Sequence, residues 1–446
     1  MKRLKKLLSV LVLLATVISL AACQSETENT DNTQDKPHVD YTTVDYADTT
    51  KLNMLSDSLK LEVTVKTFID GDTTHFFVPN DVSSDGVLKA RYLAINTPES
   101  TGKIEEYGKK ASSFTKEKLQ NAVSIIIESD DDVWNKDSTG QRYLVWVWYK
   151  PSEDADYRNL NIEILQNGLA IASSSANNRY GDICVSAINS AKQNKLGVYS
   201  GEKDPDFYYG DAVELTLKEL RLNAEKYNGI KVAFEGVITM NHDGSAYIED
   251  YDEDSGIYYG MAIYYGYGLT SGLNIINTGN RSRIVGTLQF YETGGTYQVA
   301  GLSYRPMKPD DPSNIKKISE GHSAAYVLTD AETFLGKISV SNGEDGEDIL
   351  LDYATAVMDT SIEMKDLTVN DVYTTKIGDN AGAMTLTCTV GDSEITIRTE
   401  VLKKDGVLMT ENDLIGKSIS VKGLVSYFDG SYQIHVFSAN DIIINN

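Results

Sequence analysis

A repeat constrains the fold more than any other feature of this chain. The stretch "RIVGTLQFYETGGTYQV" (283 to 299) aligns with "SVKGLVSYFDGSYQI" (420 to 434): Gly286 falls on Gly423, Phe290-Tyr291 on Tyr427-Phe428, Gly295 on Gly430 and Tyr297-Gln298 on Tyr432-Gln433. The matched glycines lie 137 residues apart. That distance is too long for a solenoid and suits two similar domains. Each copy follows another strand-like stretch, "IKVAFEGVITMNHDGSAYIEDYDED" in the first and "MTLTCTVGDSEITIRTEVL" in the second. Beyond residue 200 the pattern is almost wholly strand and turn, which predicts two β domains at 210–312 and 335–446.

The N-terminus belongs to no domain. Lys2, Arg3, Lys5 and Lys6 precede an apolar run from Leu7 to about Leu20, ending in Leu20-Ala21-Ala22-Cys23. This is an export signal over 1–23. Small residues before a cysteine resemble the lipobox of bacterial lipoproteins, which implies cleavage before Cys23, lipidation of its thiol and a tether at the outer face of the cell membrane. Residues 24–58 are rich in Thr, Asp, Asn and Glu and nearly free of aliphatic side chains, so a flexible linker is expected there. Beyond the signal only Cys184 and Cys388 remain. The chain is therefore not a disulfide scaffold, and both are expected to be buried free thiols.

Residues 59–201 read differently. "LEVTVKTFIDGDTTHFFVP" alternates into a turn at Asp70-Gly71-Asp72 and out again, a hairpin signal. A third strand from Leu88 to Ile95 ends in Asn96-Thr97-Pro98. An amphipathic helix follows from Tyr107 to Ala122, then strands in "SIIIESDDD" and "RYLVWVWYK", then helical patterns near 160–169 and 183–196. Five strands and three helices predict a small closed barrel with helices packed on it. The formal charge of −24 is uneven: residues 60–200 carry 16 basic and 19 acidic side chains, and residues 201–446 carry 19 and 38.

The stretches "IDGDT", "RYLAINTPES", "YGKKASSFTK" and "RYLVWVWY" occur in the order and spacing of the staphylococcal-type nucleases, or thermonucleases, and residues 61 to about 200 resemble that family. The two C-terminal domains resemble OB-type barrels, such as the nucleic-acid-binding modules attached to extracellular nucleases. The expected fold class is thus mainly β with α, an OB-type five-stranded barrel with three helices followed by two OB-like barrels. The resemblance implies a calcium-dependent, sugar-nonspecific nuclease acting on DNA and RNA. Asp72, Asn96, the Thr97 carbonyl and, through water, Glu99 would serve Ca²⁺. Glu99 would act as general base, and Arg91 and Arg142 would clamp the phosphate. Elementary chemistry agrees, since phosphodiester hydrolysis needs a hard cation, a base and fixed positive donors.

Three departures from the family stand out. Asn96 replaces the usual aspartate, keeping a carbonyl ligand but losing a charge. Gln141 is inserted between Gly140 and Arg142, and the family's nucleotide-flanking tyrosines fall at Ser174 and Ala176. These expectations point to weakened calcium affinity and weakened base stacking. A nuclease fold kept only for binding, or an adhesion protein acting through its acidic barrels, remains the alternative.

The other candidates are weaker. His38, His75, His242, His322 and His435 show no metal-ligand spacing, and Asp130-Asp131-Asp132 and "EDYDEDSG" (249 to 256) read as solvated turns before second calcium sites. Excess acid argues against strong nucleic-acid binding by the tail. Its tyrosines, among them Tyr258, Tyr259, Tyr264, Tyr265, Tyr291 and Tyr297, could stack on bases, but core and surface packing explain many of them equally well, and the expectation is spacer or partner-binding modules that take a surface partner, or nucleic acid weakly.

Overall fold

The computed structural model describes residues 44–445 except 267, 293, 343–347 and 379. The signal peptide, Cys23, His38 and the first part of the polar linker lie outside the described residues.

The first barrel begins with one bent strand. Its halves β1 (Lys60–Glu62) and β2 (Thr64–Asp70) are joined at Val63, whose N–H donates to Ile125. Then come β3 (Thr73–Phe77), β4 (Val87–Tyr92), the short β5 (Ile95–Asn96), helix α1 (Gly108–Gln120), β6 (Ser124–Glu128) and β7 (Tyr143–Lys150). β2 pairs β3, β3 pairs β4, β4 runs parallel to β7, β7 pairs β6, and β6 returns to β1. Numbered along the chain the barrel therefore reads 1-2-3-5-4 and closes on its own first strand. Val145 through Tyr149 are all buried, because β7 faces the barrel interior on one side and helices on the other, which explains a run without alternation. Helix α1 buries Gly108, Ala111, Thr115 and Leu119, spaced at three and four residues as a core-facing stripe requires. Two further helices, α2 (Leu160–Gln166) and α3 (Gly181–Gln193), pack together on this barrel.

The middle barrel comprises β8 (Lys231–His242), β9 (Ser245–Asp252), β10 (Ile257–Tyr264), β11 (Arg281–Tyr291) and β12 (Thr296–Ala300). The last comprises β13 (Ser361–Thr374), β14 (Met384–Val390), β15 (Ser393–Thr399), β16 (Ser418–Phe428) and β17 (Ser431–Val436). Both close in the same 1-2-3-5-4 order, with the third and fifth strands parallel. The C-terminal region is two closed five-stranded OB-like barrels, as the repeat predicts.

The repeat now has a physical meaning. Phe290 faces Tyr297 and Tyr427 faces Tyr432 in register, with ring centroids 5.1 and 5.0 Å apart. Gly286 and Gly423 lie where the fourth strand presses on the fifth. A Cβ on Gly286 would stand 2.7 Å from the Ala300 carbonyl oxygen, and one on Gly423 would stand 2.5 Å from that of His435. Only glycine permits that approach.

One apolar cluster runs through the middle and last barrels, from Leu217 to Ile442. Cys184 and Cys388 are buried free thiols, as expected, each pushed up to about 12 by burial. Residues 44–58 depart from the expected flexible linker. They form an ordered strap in which Tyr46 and Ala47 are buried, Asp45 pairs with Arg158, and Ser58 Oγ donates to Glu128 at 2.6 Å. Polar side-chain bonds hold this segment where aliphatic burial could not.

Candidate active site

The turn between β2 and β3 delivers two aspartates to one end of the first barrel. Asp72 is fully buried. Its Oδ2 accepts the Thr97 N–H at 2.8 Å, and its Oδ1 accepts from Thr73 Oγ1 at 3.0 Å and from Arg91 Nη1. The other arm of Arg91, Nη2, donates to Asn96 Oδ1 at 2.5 Å. Strand register brings these groups together, since Thr73 lies opposite Arg91 on β3 and β4. Asn96 is fixed by the pairing of β5 with residues 171–172. Four of the expected site residues thus form one hydrogen-bonded group.

Glu99 stands beside that group with a partner the sequence did not reveal. Asp70 is buried, and its carboxyl is pushed up to about 8, first by burial and then by its hydrogen bond with Glu99. Of the two neighbouring carboxyls, buried Asp70 is thus the one displaced toward its protonated form, while Glu99 is exposed. The Glu99 backbone is held as well. Its carbonyl accepts the Glu105 N–H at 2.9 Å, and a Cβ at Gly108 would stand 2.0 Å from the same oxygen. Thr115 Oγ1 on α1 donates to the Gly71 carbonyl at 2.6 Å, locking the helix to the aspartate turn.

Arg142 is placed differently. Its Nε donates to Asp137 Oδ2 at 2.8 Å within the turn before β7. Burial alone would raise the Asp137 carboxyl, but bonds from Thr139 and Arg142 prevail and hold it at about 2. The parallel register sets Leu144 beside Arg91, so Arg142 lies two residues before the partner of Arg91. Inserted Gln141 is exposed in this turn, its N–H on Thr139 Oγ1 at 3.3 Å, so the turn absorbs the extra residue. Ser174 and Ala176 are exposed and supply no aromatic face.

Residues 89–201 match the family model described as staphylococcal nuclease homologue. The chain carries a nuclease-type domain of that family. Asp70 and Asp72 precede the matched stretch, yet β3 pairs with β4 and joins them to the same barrel.

Among the described residues, no three His, Cys, Asp or Glu side chains converge as a metal-ligand set. Arg91 brings the Asp72 carboxylate and the Asn96 amide oxygen together, the Thr97 N–H rests on Asp72, and Thr97 Oγ1 is buried without a hydrogen-bond partner. These oxygens are hard donors of the kind Ca²⁺ takes. The residues fit such a cation in donor type, although it must displace Arg91 from Asp72 and Asn96. In the other acidic runs several carboxylates have partners. Asp130 accepts from Trp146 Nε1 and the Arg179 N–H, Asp250 pairs with Arg281, and Asp252 pairs with Lys218. His242 and His435 approach Glu400, far in sequence from the nuclease domain.

Proposed function

We propose that this chain is a calcium-dependent, sugar-nonspecific endonuclease that hydrolyses DNA and RNA phosphodiesters at the outer face of a bacterial cell, tethered by lipid on Cys23. The observation that carries the catalytic part is the juxtaposition of Arg91, Asp72, Asn96 and Thr97 with the Asp70–Glu99 carboxyl pair.

In this reading Arg91 presents two donors to a phosphate once it leaves Asp72 and Asn96, a task suited to a planar guanidinium. Glu99 accepts a proton from the attacking water. The water oxygen bonds to phosphorus as the ester P–O bond breaks, and the departing alkoxide takes a proton from solvent. Asp70, whose carboxyl burial raises above the usual carboxylate range, stands beside Glu99. Asp72, Asn96 and Thr97 would hold Ca²⁺, which supplies charge neutralisation at the phosphate. Arg142 joins the phosphate on release from Asp137.

The test is degradation of single-stranded DNA, duplex DNA and RNA by the purified chain over a calcium titration with a chelator control. Cleavage that requires calcium and disappears in Glu99→Gln supports the reading. Absence of cleavage at every calcium level overturns it. The engagement of Arg142 by Asp137 favours a second reading, a nuclease fold retained for nucleic-acid binding, in which binding persists without calcium.

A further inference from the structure

The nuclease domain and the middle barrel meet along a seam that the chemistry of the site leaves unexplained. Its floor is the segment after Glu99. The Gly102 N–H donates to Gln289 Oε1 at 3.2 Å, and Gln289 Nε2 returns a bond to the Gly102 carbonyl at 2.6 Å. Lys116 on α1 pairs with Glu292 at 2.7 Å.

A cavity of about 660 Å³ lies along this seam and is lined by Ile69 and Ser100, the chain neighbours of Asp70 and Glu99. A second, of about 490 Å³, shares Ile104 and Lys109 with the first and continues between Lys103 and Arg305. Together they form a track that starts beside the candidate catalytic carboxyls.

The charge of this track is opposite to that of the chain. Lys103, Lys109, Lys116, Lys231 and Arg305 line it against only Asp206 and Glu292, in a chain with 65 acidic and 41 basic residues. Lys116 and Arg305 have carboxylate partners, whereas Lys103, Lys109 and Lys231 make no ion pair among the described residues. On the barrel wall Tyr264, Phe290 and Tyr291 remain 41, 45 and 45% exposed, a large apolar exposure at strand ends. Ser245, just past the first hairpin turn, and Glu292, after the fourth strand, line the same wall. Those two loops form the end of an OB-type barrel that takes oligonucleotides in other proteins.

We infer that this seam is a binding track for single-stranded nucleic acid, leading the strand across the middle barrel to the Asp70–Glu99 pair. Unpaired lysines follow the phosphates, and the exposed rings accept unstacked bases, the two ingredients of sequence-tolerant single-strand binding. The Gly102–Gln289 and Lys116–Glu292 contacts tie the two walls together. The track also replaces the stacking that Ser174 and Ala176 cannot give. The inference rests on the nuclease reading for the destination of the strand, but not for its binding.

The test uses the full chain carrying Glu99→Gln and a fluorescent oligothymidine of about a dozen nucleotides, within the usual site size of such barrels. Anisotropy is read against a duplex of equal length over a salt titration. The single strand is expected to bind more tightly than the duplex. Lys103→Ala/Lys109→Ala/Lys231→Ala should weaken binding about tenfold or more and reduce the salt slope by about 2. Tyr264→Ala/Phe290→Ala should weaken binding by a similar factor and leave the slope unchanged. Equal binding of duplex and single strand, or affinity unchanged by both variants, overturns the track. If the chain with Glu99 intact cuts nothing while both variants lose binding, the nuclease reading fails and the track stands. If it cuts normally while both variants bind like the parent, the track fails and the nuclease reading stands.

Discussion

The middle barrel has two neighbours and meets them in opposite ways. Toward the last barrel it shares an apolar core, and two buried charged groups there are multiply bonded. Arg221 donates to Asp359 Oδ2 at 2.5 Å and to the Gly260 and Met358 carbonyls, while Glu249 accepts from the Ser361 N–H, the Ser361 hydroxyl and the Ala325 N–H. Toward the nuclease domain the contact includes the paired Gly102–Gln289 hydrogen bonds and the Lys116–Glu292 ion pair beside open cavities. One seam is built like a domain interior and the other like a transient interface. The two C-terminal barrels therefore share one core, whereas the segment after Glu99 meets them through a few polar contacts.

The comparison predicts a graded set of responses. Arg221→Ala strands the buried Asp359 carboxylate and should cost about 3 to 5 kcal/mol in denaturant unfolding of the barrels, leaving cleavage per folded molecule unchanged; a loss under about 1 kcal/mol would mean that the inner seam is not as dry as its geometry implies. Gln289→Ala removes both bonds to Gly102. It should cost about 1 to 2 kcal/mol and speed amide exchange across 99–107, and exchange unaltered there would break the claim that the barrel steadies the Glu99 segment.

Smaller effects sharpen the contrast. Glu400 is held below the usual carboxylate range, first by its hydrogen bond with His435. A depressed carboxylate stabilises above its unfolded value and loses that contribution as pH falls through the folded one. Glu400→Gln should therefore destabilise by about 1 kcal/mol or less at pH 6 to 7, and wild type and variant should converge below about pH 4. A gap that widened on acidification would reverse the assigned sign. Smallest of all, Lys116→Ala removes an ion pair whose glutamate is mostly exposed. Its effect should be about 0.5 kcal/mol or less and vanish in high salt, as thermal melts at two salt concentrations would show.

The sequence made parts of this design legible for definite reasons. Gly286 and Gly423 recur because strand crossing forbids a Cβ, and the Phe290–Tyr297 and Tyr427–Tyr432 pairs recur because they face each other. Local periodicity and turn chemistry were enough to place α1 and the β2–β3 hairpin. Other features depend on contacts between distant segments. The nearness of Asp70 to Glu99 arises only when the hairpin turn meets the segment after β5, and in the sequence Asp70 reads as an ordinary turn residue. The capture of Arg142 by Asp137 depends on how one turn folds around Gln141. The strap at 44–58 reads as disordered because polar residues outnumber its scattered apolar ones, yet it buries Tyr46 and Ala47 and is secured by Arg158, Gln166 and Glu128 across the chain. The seam cations come from four separate stretches and form no motif.

The shared strand order also sets a timetable. Each barrel is closed by a parallel pairing of its third and fifth strands, a connection that local contacts cannot make and that folding reaches slowly. A chain that emerges amino end first completes the nuclease barrel while β11, which carries Gln289, is still unmade. For that interval the segment after Glu99 has one wall instead of two. The strands of the middle barrel contain no residue of the candidate site, yet their arrival finishes the surroundings of the carboxyl pair.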